Sequence, residues 1–285
     1  MPENIKIIEC PRDAMQGWKE FIPTRDKIDY LNLLLKAGFD TLDFGSFVSH
    51  KTIPQLKDTA EVLSGLELQG SATKLLAIVA NLRGARDACA FDEISYLGFP
   101  FSVSEEFQKR NTNSTIAESL KRVEEIQHEV SKSDKKLVIY ISMGFGNPYG
   151  EPWSAELVSH WVKRLAQMGI SIIALSDTIG VSNPDNINRL FSHLIPEIPE
   201  VEFGAHLHSH RNNWMEKVSA AYASGCRRFD SAMKGVGGCP MANDELVGNL
   251  ATEDLVSFFS DKVDLKLNAG YFNKSLAMAA KIFHV

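Results

Sequence analysis

Eight short apolar runs, each followed by a longer segment of mixed polarity, constrain the fold of this chain more than any other feature. The runs are residues 5–8, 41–44, 75–79, 93–97, 137–142, 171–175, 201–207 and 228–230. Their length and apolar, often β-branched content are those of buried strands. Helix-like segments separate them at 25–37, 53–64, 82–89, 116–131, 155–168, 184–194 and 214–223, with more helix after Asn243. Strands that alternate with helices pair in parallel and are covered by those helices. Eight such units predict a (β/α)8 barrel with additional C-terminal helices, and a doubly wound sheet is the structural alternative. No Pro/Ser-rich linker or low-complexity tract interrupts the pattern, so residues 1–285 read as a single catalytic domain.

Several boundaries have local causes. Ser114 or Thr115 can cap the N–H groups that open the helix after them, and Asn183-Pro184 is a second start signal. Gly38 and Gly169 stand where helices stop before the next strand. The net charge of −6 argues against broad attraction to nucleic acid or to an anionic membrane. No run approaches the roughly 20 apolar residues of a membrane span. Cys10, Cys89, Cys226 and Cys239 are scattered without a C-x-x-C pair, which fits reduced thiols and a cytoplasmic location. Asn113-Ser114-Thr115 matches a glycosylation sequon, which we read as chance in a chain without secretory features.

The chemistry concentrates at strand ends. In the strand-like segment around 202–208, a period of two sends His206 and His208 to one face, where both can grip one divalent ion. Two imidazoles and a carboxylate form a recurrent open metal site, and Asp13 is the candidate carboxylate. Arg12 beside it would meet negative charge developing on substrate. In a barrel, catalytic groups gather at the C-terminal ends of the strands. Arg12-Asp13 follow the first strand, Asp43 closes the second, Asp177 follows the sixth and the two histidines close the seventh.

Read together, Pro11-Arg12-Asp13-Ala14-Met15-Gln16, Ser46-Phe47-Val48-Ser49, Ser176-Asp177-Thr178-Ile179-Gly180, His206-x-His208, Gly237-Gly238-Cys239-Pro240 and the segment from Gly248-Asn249 to Asp254-Leu255 resemble hydroxymethylglutaryl-CoA lyase. The blocks fall in that family's order across most of the chain. The resemblance implies a (β/α)8 barrel enzyme that uses a divalent cation, Mg or Mn with Zn also admitted, to cleave 3-hydroxy-3-methylglutaryl-CoA into acetyl-CoA and acetoacetate. It implies Asp13, His206, His208 and Asn249 as metal ligands. Carboxylate and amide oxygens suit Mg or Mn, while imidazole also admits Zn or Fe. Arg12 matches the catalytic arginine, His206 the preferred proton-transfer residue, and Asp43 and Asp177 active-site acids. Cys239 matches the active-site cysteine, after the pliable run Gly235-Val236-Gly237-Gly238. Gln16 and Ser46 are candidates for the acyl pocket. The implied partner is a small acyl-CoA or hydroxy acid, and a homodimer is compatible with the chain.

Three features depart from the lyase pattern. Asp43 stands where the pattern has Glu, the sequence after His208 reads Ser209-His210-Arg211-Asn212-Asn213, and the stretch from Cys239 to Asn249 is one residue longer. They keep open a related barrel aldolase or a Claisen-type acyltransferase with a different substrate. A non-catalytic metal- or ligand-binding barrel is the remaining reading.

Overall fold

The computed structural model describes residues 4–238 and 247–285. Its eight strands are β1 Lys6–Glu9, β2 Thr41–Ser46, β3 Lys74–Ile78, β4 Ile94–Ser102, β5 Lys136–Ser142, β6 Ile172–Asp177, β7 Glu202–Leu207 and β8 Arg228–Ser231. They pair in parallel in chain order, and β1 closes on β8 through Lys6↔Arg228 to Glu9↔Ser231. This is the expected (β/α)8 barrel, and the doubly wound alternative falls. The helices are α1 Pro11–Gln16, α2 Thr24–Ala37, α3 Thr59–Ser64, α4 Leu82–Cys89, α5 Glu105–Thr112, α6 Ile116–Val130, α7 Ala155–Gln167, α8 Pro184–Glu197, α9 Trp214–Ala223, α10 Thr252–Ser260 and α11 Ala269–Phe283.

Local chemistry accounts for many of the ends. Thr115 forms a reciprocal capping box with Glu118 at the start of α6, and Asn183 does the same with Asn186 before Pro184. Gly38 stops α2 at φ 88°, a conformation that favours glycine. The predicted helix over 53–64 is instead a 3-10 turn, Pro54–Leu56, followed by α3. Asp58 at the break is drawn to α2, where its carboxylate accepts hydrogen bonds from Lys27 Nζ at 2.8 Å and Thr24 Oγ1 at 2.8 Å. Two helices, α1 and α5, have no counterpart in the predicted pattern.

Most apolar side chains fill the layer between strands and helices. Inside the barrel a smaller cluster of Leu76, Tyr96, Val138, Tyr140, Ile172 and Ala174 packs against Ile78. The β2 register shifts between Asp43 and Gly45, so Phe44 is the extra residue of a bulge. A Cβ at Gly45 would lie 2.5 Å from Thr59 Cγ2, so α3 approaches too closely there for any side chain. Among the described residues, no helix is long and apolar enough to cross a membrane. Cys10, Cys89 and Cys226 are free thiols.

Candidate active site

Pro11 starts α1 directly after β1, and its fixed φ sets the first turn. That turn carries Arg12 and Asp13 into the mouth of the barrel, where both are buried. Arg12 Nη2 donates to Asp43 Oδ2 at 2.6 Å, and Nε donates to the same carboxylate at 3.0 and 3.1 Å. Nη1 donates to Asp13 Oδ1 at 3.1 Å and to Gln16 Oε1 at 2.7 Å. Gln16 Nε2 returns a bond of 2.8 Å to Asp13 Oδ1. Arg12 is therefore no surface partner of Asp13; it is clamped from three sides. Burial alone would lower its pKa, but Asp43 and then Asp13 outweigh burial and raise it. Burial lifts Asp43 to about 6 against the opposing pull of Arg12. Asp13 also feels burial upward, yet Arg12 and His206 bring it below the usual carboxylate value.

His206 in β7 and His208 just beyond it lie on the same side, with ring centroids 5.4 Å apart. One donor atom each from Asp13, His206 and His208 lies within 4.8 Å of the others. Burial would depress His206, but its hydrogen bond to Asp230 and that carboxylate's charge hold its pKa above the ordinary imidazole value. Burial, then the charge of His206, brings His208 down to about 4. Among the described residues, the buried His208 Nδ1 has no hydrogen-bond partner. An orphaned imidazole nitrogen beside a carboxylate and a second imidazole fits a divalent cation.

Asn249 reaches this group from beyond β8 through an isolated antiparallel bridge to His208. Its Nδ2 donates to Asp13 Oδ2 at 2.7 Å and to Val236 O at 3.0 Å. Gly237, at φ +110°, leaves the space they occupy: a Cβ there would lie 2.5 Å from Asn249 Nδ2 and 3.1 Å from Asp13 Oδ2. The four expected ligands thus converge from three distant stretches. Three of them, Asp13, His206 and His208, border a cavity of about 190 Å³ whose walls also include Arg12 and Gln16, with Ile78, Pro100 and Phe107 on an apolar side and Tyr140, Ser142, Ser176 and Thr178 supplying hydroxyls; Asn249 stands behind Asp13.

Comparison with known proteins now bears on this geometry. Residues 4–276 match the family described as HMGL-like. The chain belongs to that family. A cytoplasmic 3-hydroxy-3-methylglutaryl-CoA lyase of Homo sapiens is 35% identical over 273 residues, 95% of this chain and 72% of the human protein. A hydroxymethylglutaryl-CoA lyase of Bacillus subtilis is 32% identical over 276 residues, 94% of this chain and 88% of its own. The crystal structure of hydroxymethylglutaryl-CoA lyase from Pseudomonas aeruginosa superposes with a TM-score of 0.91 at 28% identity, covering 100% of this chain and 95% of the other. An HMG-CoA lyase from Acinetobacter baumannii, in complex with coenzyme A and 3-methylmalate, gives 0.88 at 32% identity, covering 99% and 92%. This HMGL-like protein is accordingly a lyase.

Of the described residues singled out in this lyase, Asp43, Ser46, Asp177 and Asn249 sit outside the cavity wall; Asp43 and Asn249 bond residues that line it, whereas Ser46 and Asp177 are turned elsewhere. Ser46 Oγ donates to Ile78 O at 3.3 Å and accepts from Val48 N at 3.2 Å, which is a turn role. Asp177 is turned into its own loop, accepting from Val181 N, Ser182 N, Ser182 Oγ and Lys217 Nζ. His210 is exposed. Cys239 and most of the lengthened stretch after it fall in 239–246, outside the described residues. Sequence reasoning passed over Asp230, which accepts from His206 Nδ1 at 3.1 Å, and Tyr140, whose ring meets His206 edge-on at 5.6 Å. Both stand two residues from a strand end on the inward face, and that alternation was the available signal.

Proposed function

We propose that this lyase cleaves 3-hydroxy-3-methylglutaryl-CoA, or a closely related β-hydroxy acyl-CoA, to acetyl-CoA and a keto acid, with a divalent cation held by Asp13, His206, His208 and Asn249. The observation that carries the reading is the convergence of Asp13, His206 and His208 on one cavity, with the Arg12 guanidinium beside them and Asn249 bonded to Asp13. Mg or Mn suits the oxygen donors and Zn suits the imidazoles. A cation there would acidify the substrate hydroxyl and orient its oxygens.

The protein's own groups supply the rest. Cleavage removes the proton of the 3-hydroxyl, breaks the bond between C2 and C3, and sends its electron pair into the thioester as an enolate. His206 Nδ1 is held by Asp230, so its other nitrogen can either ligate the cation or take this proton; it takes the proton in a state where Asp13, His208 and Asn249 would hold the cation. Arg12 stabilises the enolate oxygen: of its five N–H groups, Nε, both on Nη1 and one on Nη2 are committed to protein partners, which leaves one for the substrate. A proton then returns to C2, and Cys239 is the candidate donor by family resemblance. Gln16, bonded to both Arg12 and Asp13, holds those two in register.

A second reading keeps the reaction and changes the acyl group. Asp43 grips Arg12 with a side chain one methylene shorter than the glutamate of the family pattern, and a displacement of about 1 Å in such a group can cost around 10²-fold. The decisive assay measures acetyl-CoA release by the metal-replete protein from 3-hydroxy-3-methylglutaryl-CoA and a panel of other β-hydroxy acyl-CoAs, with Asp43→Glu alongside. Cleavage of the first substrate, improved by Asp43→Glu, supports the first reading; cleavage of another alone supports the second. Tight binding without cleavage of any member overturns both.

A further inference from the structure

Beneath His206 the barrel interior holds polar atoms that the reaction above does not use. Arg228 enters from the base of β8, 1% exposed, with Nη1 3.4 Å from Glu202 Oε1. Among the described residues its Nε and Nη2 have no hydrogen-bond partner. Asp230 is two residues along the same strand and so on the same face; its Oδ2 bonds His206 Nδ1 and its Oδ1 is unpartnered. The neighbouring strand is built around this arginine. Gly204 of β7 pairs with Arg228, and a Cβ at Gly204 would lie 3.1 Å from Arg228 Cδ. A glycine thus opens the barrel axis to an arginine stem.

We propose that Asp230 and Arg228 are positioning residues for the lyase reaction: together they fix His206 with its proton on Nδ1 and its other nitrogen facing Asp13 and His208. This rests on the metal-lyase reading of the site. A carboxylate that bonds the far nitrogen of a ligating or proton-transferring imidazole sets both its tautomer and its ring orientation. Asp230 makes that bond at a depth where a carboxylate needs a counter-charge, because Asp13 and Asp43 already share Arg12. Arg228 is the cation below it, and of the acidic groups acting on that guanidinium Asp230 acts most strongly. The unpartnered donors on Arg228 and the unpartnered acceptor on Asp230 are complementary and lie on the same face of β8. Among the described residues, the hydrogen bond the Asp230 carboxylate makes is to the His206 imidazole.

The test uses ¹⁵N-histidine NMR of the metal-free protein, at a pH where His206 is neutral, together with Mn²⁺ titration by electron paramagnetic resonance and steady-state kinetics. Wild type is expected to show His206 protonated at Nδ1. Asp230→Asn should lose that single tautomer, weaken Mn²⁺ about 10–100-fold and lower kcat more than KM. Arg228→Met should move all three readouts the same way by less, and Arg228→Lys should restore part of the loss. Circular dichroism confirms that each variant is folded; if Arg228→Met is not, Arg228→Lys and Asp230→Asn carry the comparison. Wild-type His206 protonated at Nε2 overturns the proposal, as does an unchanged tautomer in folded Asp230→Asn with Mn²⁺ affinity within about twofold. A wild-type protein with the expected tautomer but no Mn²⁺ binding would instead sink the metal reading, since the NMR result stands apart from it.

Discussion

Asp43, midway along β2, and Asp177, the last residue of β6, are both buried aspartates ion-paired to a buried cation, yet their surroundings differ in what is left over. Asp177 receives four hydrogen bonds from its own loop and from Lys217, and Lys217 Nζ completes its set on Gly180 O at 3.0 Å and His208 O at 2.9 Å. Nothing in that pair remains for a ligand. The Asp43 cluster shares one guanidinium between two carboxylates, and around it stand Ser176 Oγ, Tyr140 OH and His208 Nδ1, which have no hydrogen-bond partner among the described residues. A closed network is what a fold needs; unmet polar atoms around a cavity are what a substrate or ion completes. Two buried aspartates of barrel strands thus differ in how many unsatisfied polar neighbours they keep.

The contrast breaks most directly at Lys217. Lys217→Met strands a buried carboxylate and should cost about 3–5 kcal/mol in urea unfolding; full stability with lost turnover would move Asp177 into the catalytic group. On the other side, Arg12→Lys keeps the charge and loses the fork, so kcat should fall about 10²–10³-fold while the unfolding midpoint stays near wild type. A large stability loss with normal turnover of the folded fraction would reverse the two assignments.

A third, smaller effect belongs to Glu9, a closed scaffold group like Asp177. Its carboxyl accepts from Met233 N at 2.9 Å and from Thr252 Oγ1, and burial lifts its pKa from 4.5 to about 8. The folded value lies above the unfolded one, so folding favours the neutral acid. Stability from this group is full below about pH 4.5 and is lost as pH rises through about 8. Glu9→Gln should flatten that part of the melting-temperature profile and leave KM unchanged; an unaltered profile would remove Glu9 as its source. Least of all, Ser46→Ala should cost about 1 kcal/mol of stability and nothing in KM. A raised KM would return Ser46 to the acyl pocket.

The fold was legible because each buried strand announces itself as an apolar run, and eight of them in alternation with helices close only a few ways. The helices α1 and α5 were not, for reasons of composition. Pro11–Gln16 is six residues carrying three polar side chains, and Glu105–Thr112 is polar on nearly every face, so neither has an apolar stripe to read. A signal existed for α5 in Ser104, which caps Phe107 N ahead of Glu105 and Glu106. In the site, His206 and His208 were readable as a pair because their spacing is local. Asp230 was not, since its bond to His206 exists only after β8 is laid beside β7, across 24 residues of chain. For Asp177 the place at a strand end is visible in the sequence, but the four donors that occupy its carboxylate are not.

Gly237 contributes no donor, charge or side chain, yet the volume it leaves empty is where Asp13 and Asn249 meet. In a saturation library, alanine at 237 should score as badly as loss of a ligand, through both the occupied space and the positive φ. Intolerance mapped onto this barrel will therefore outline a mould as well as the catalyst, and only metal affinity measured beside turnover can tell the two kinds of position apart.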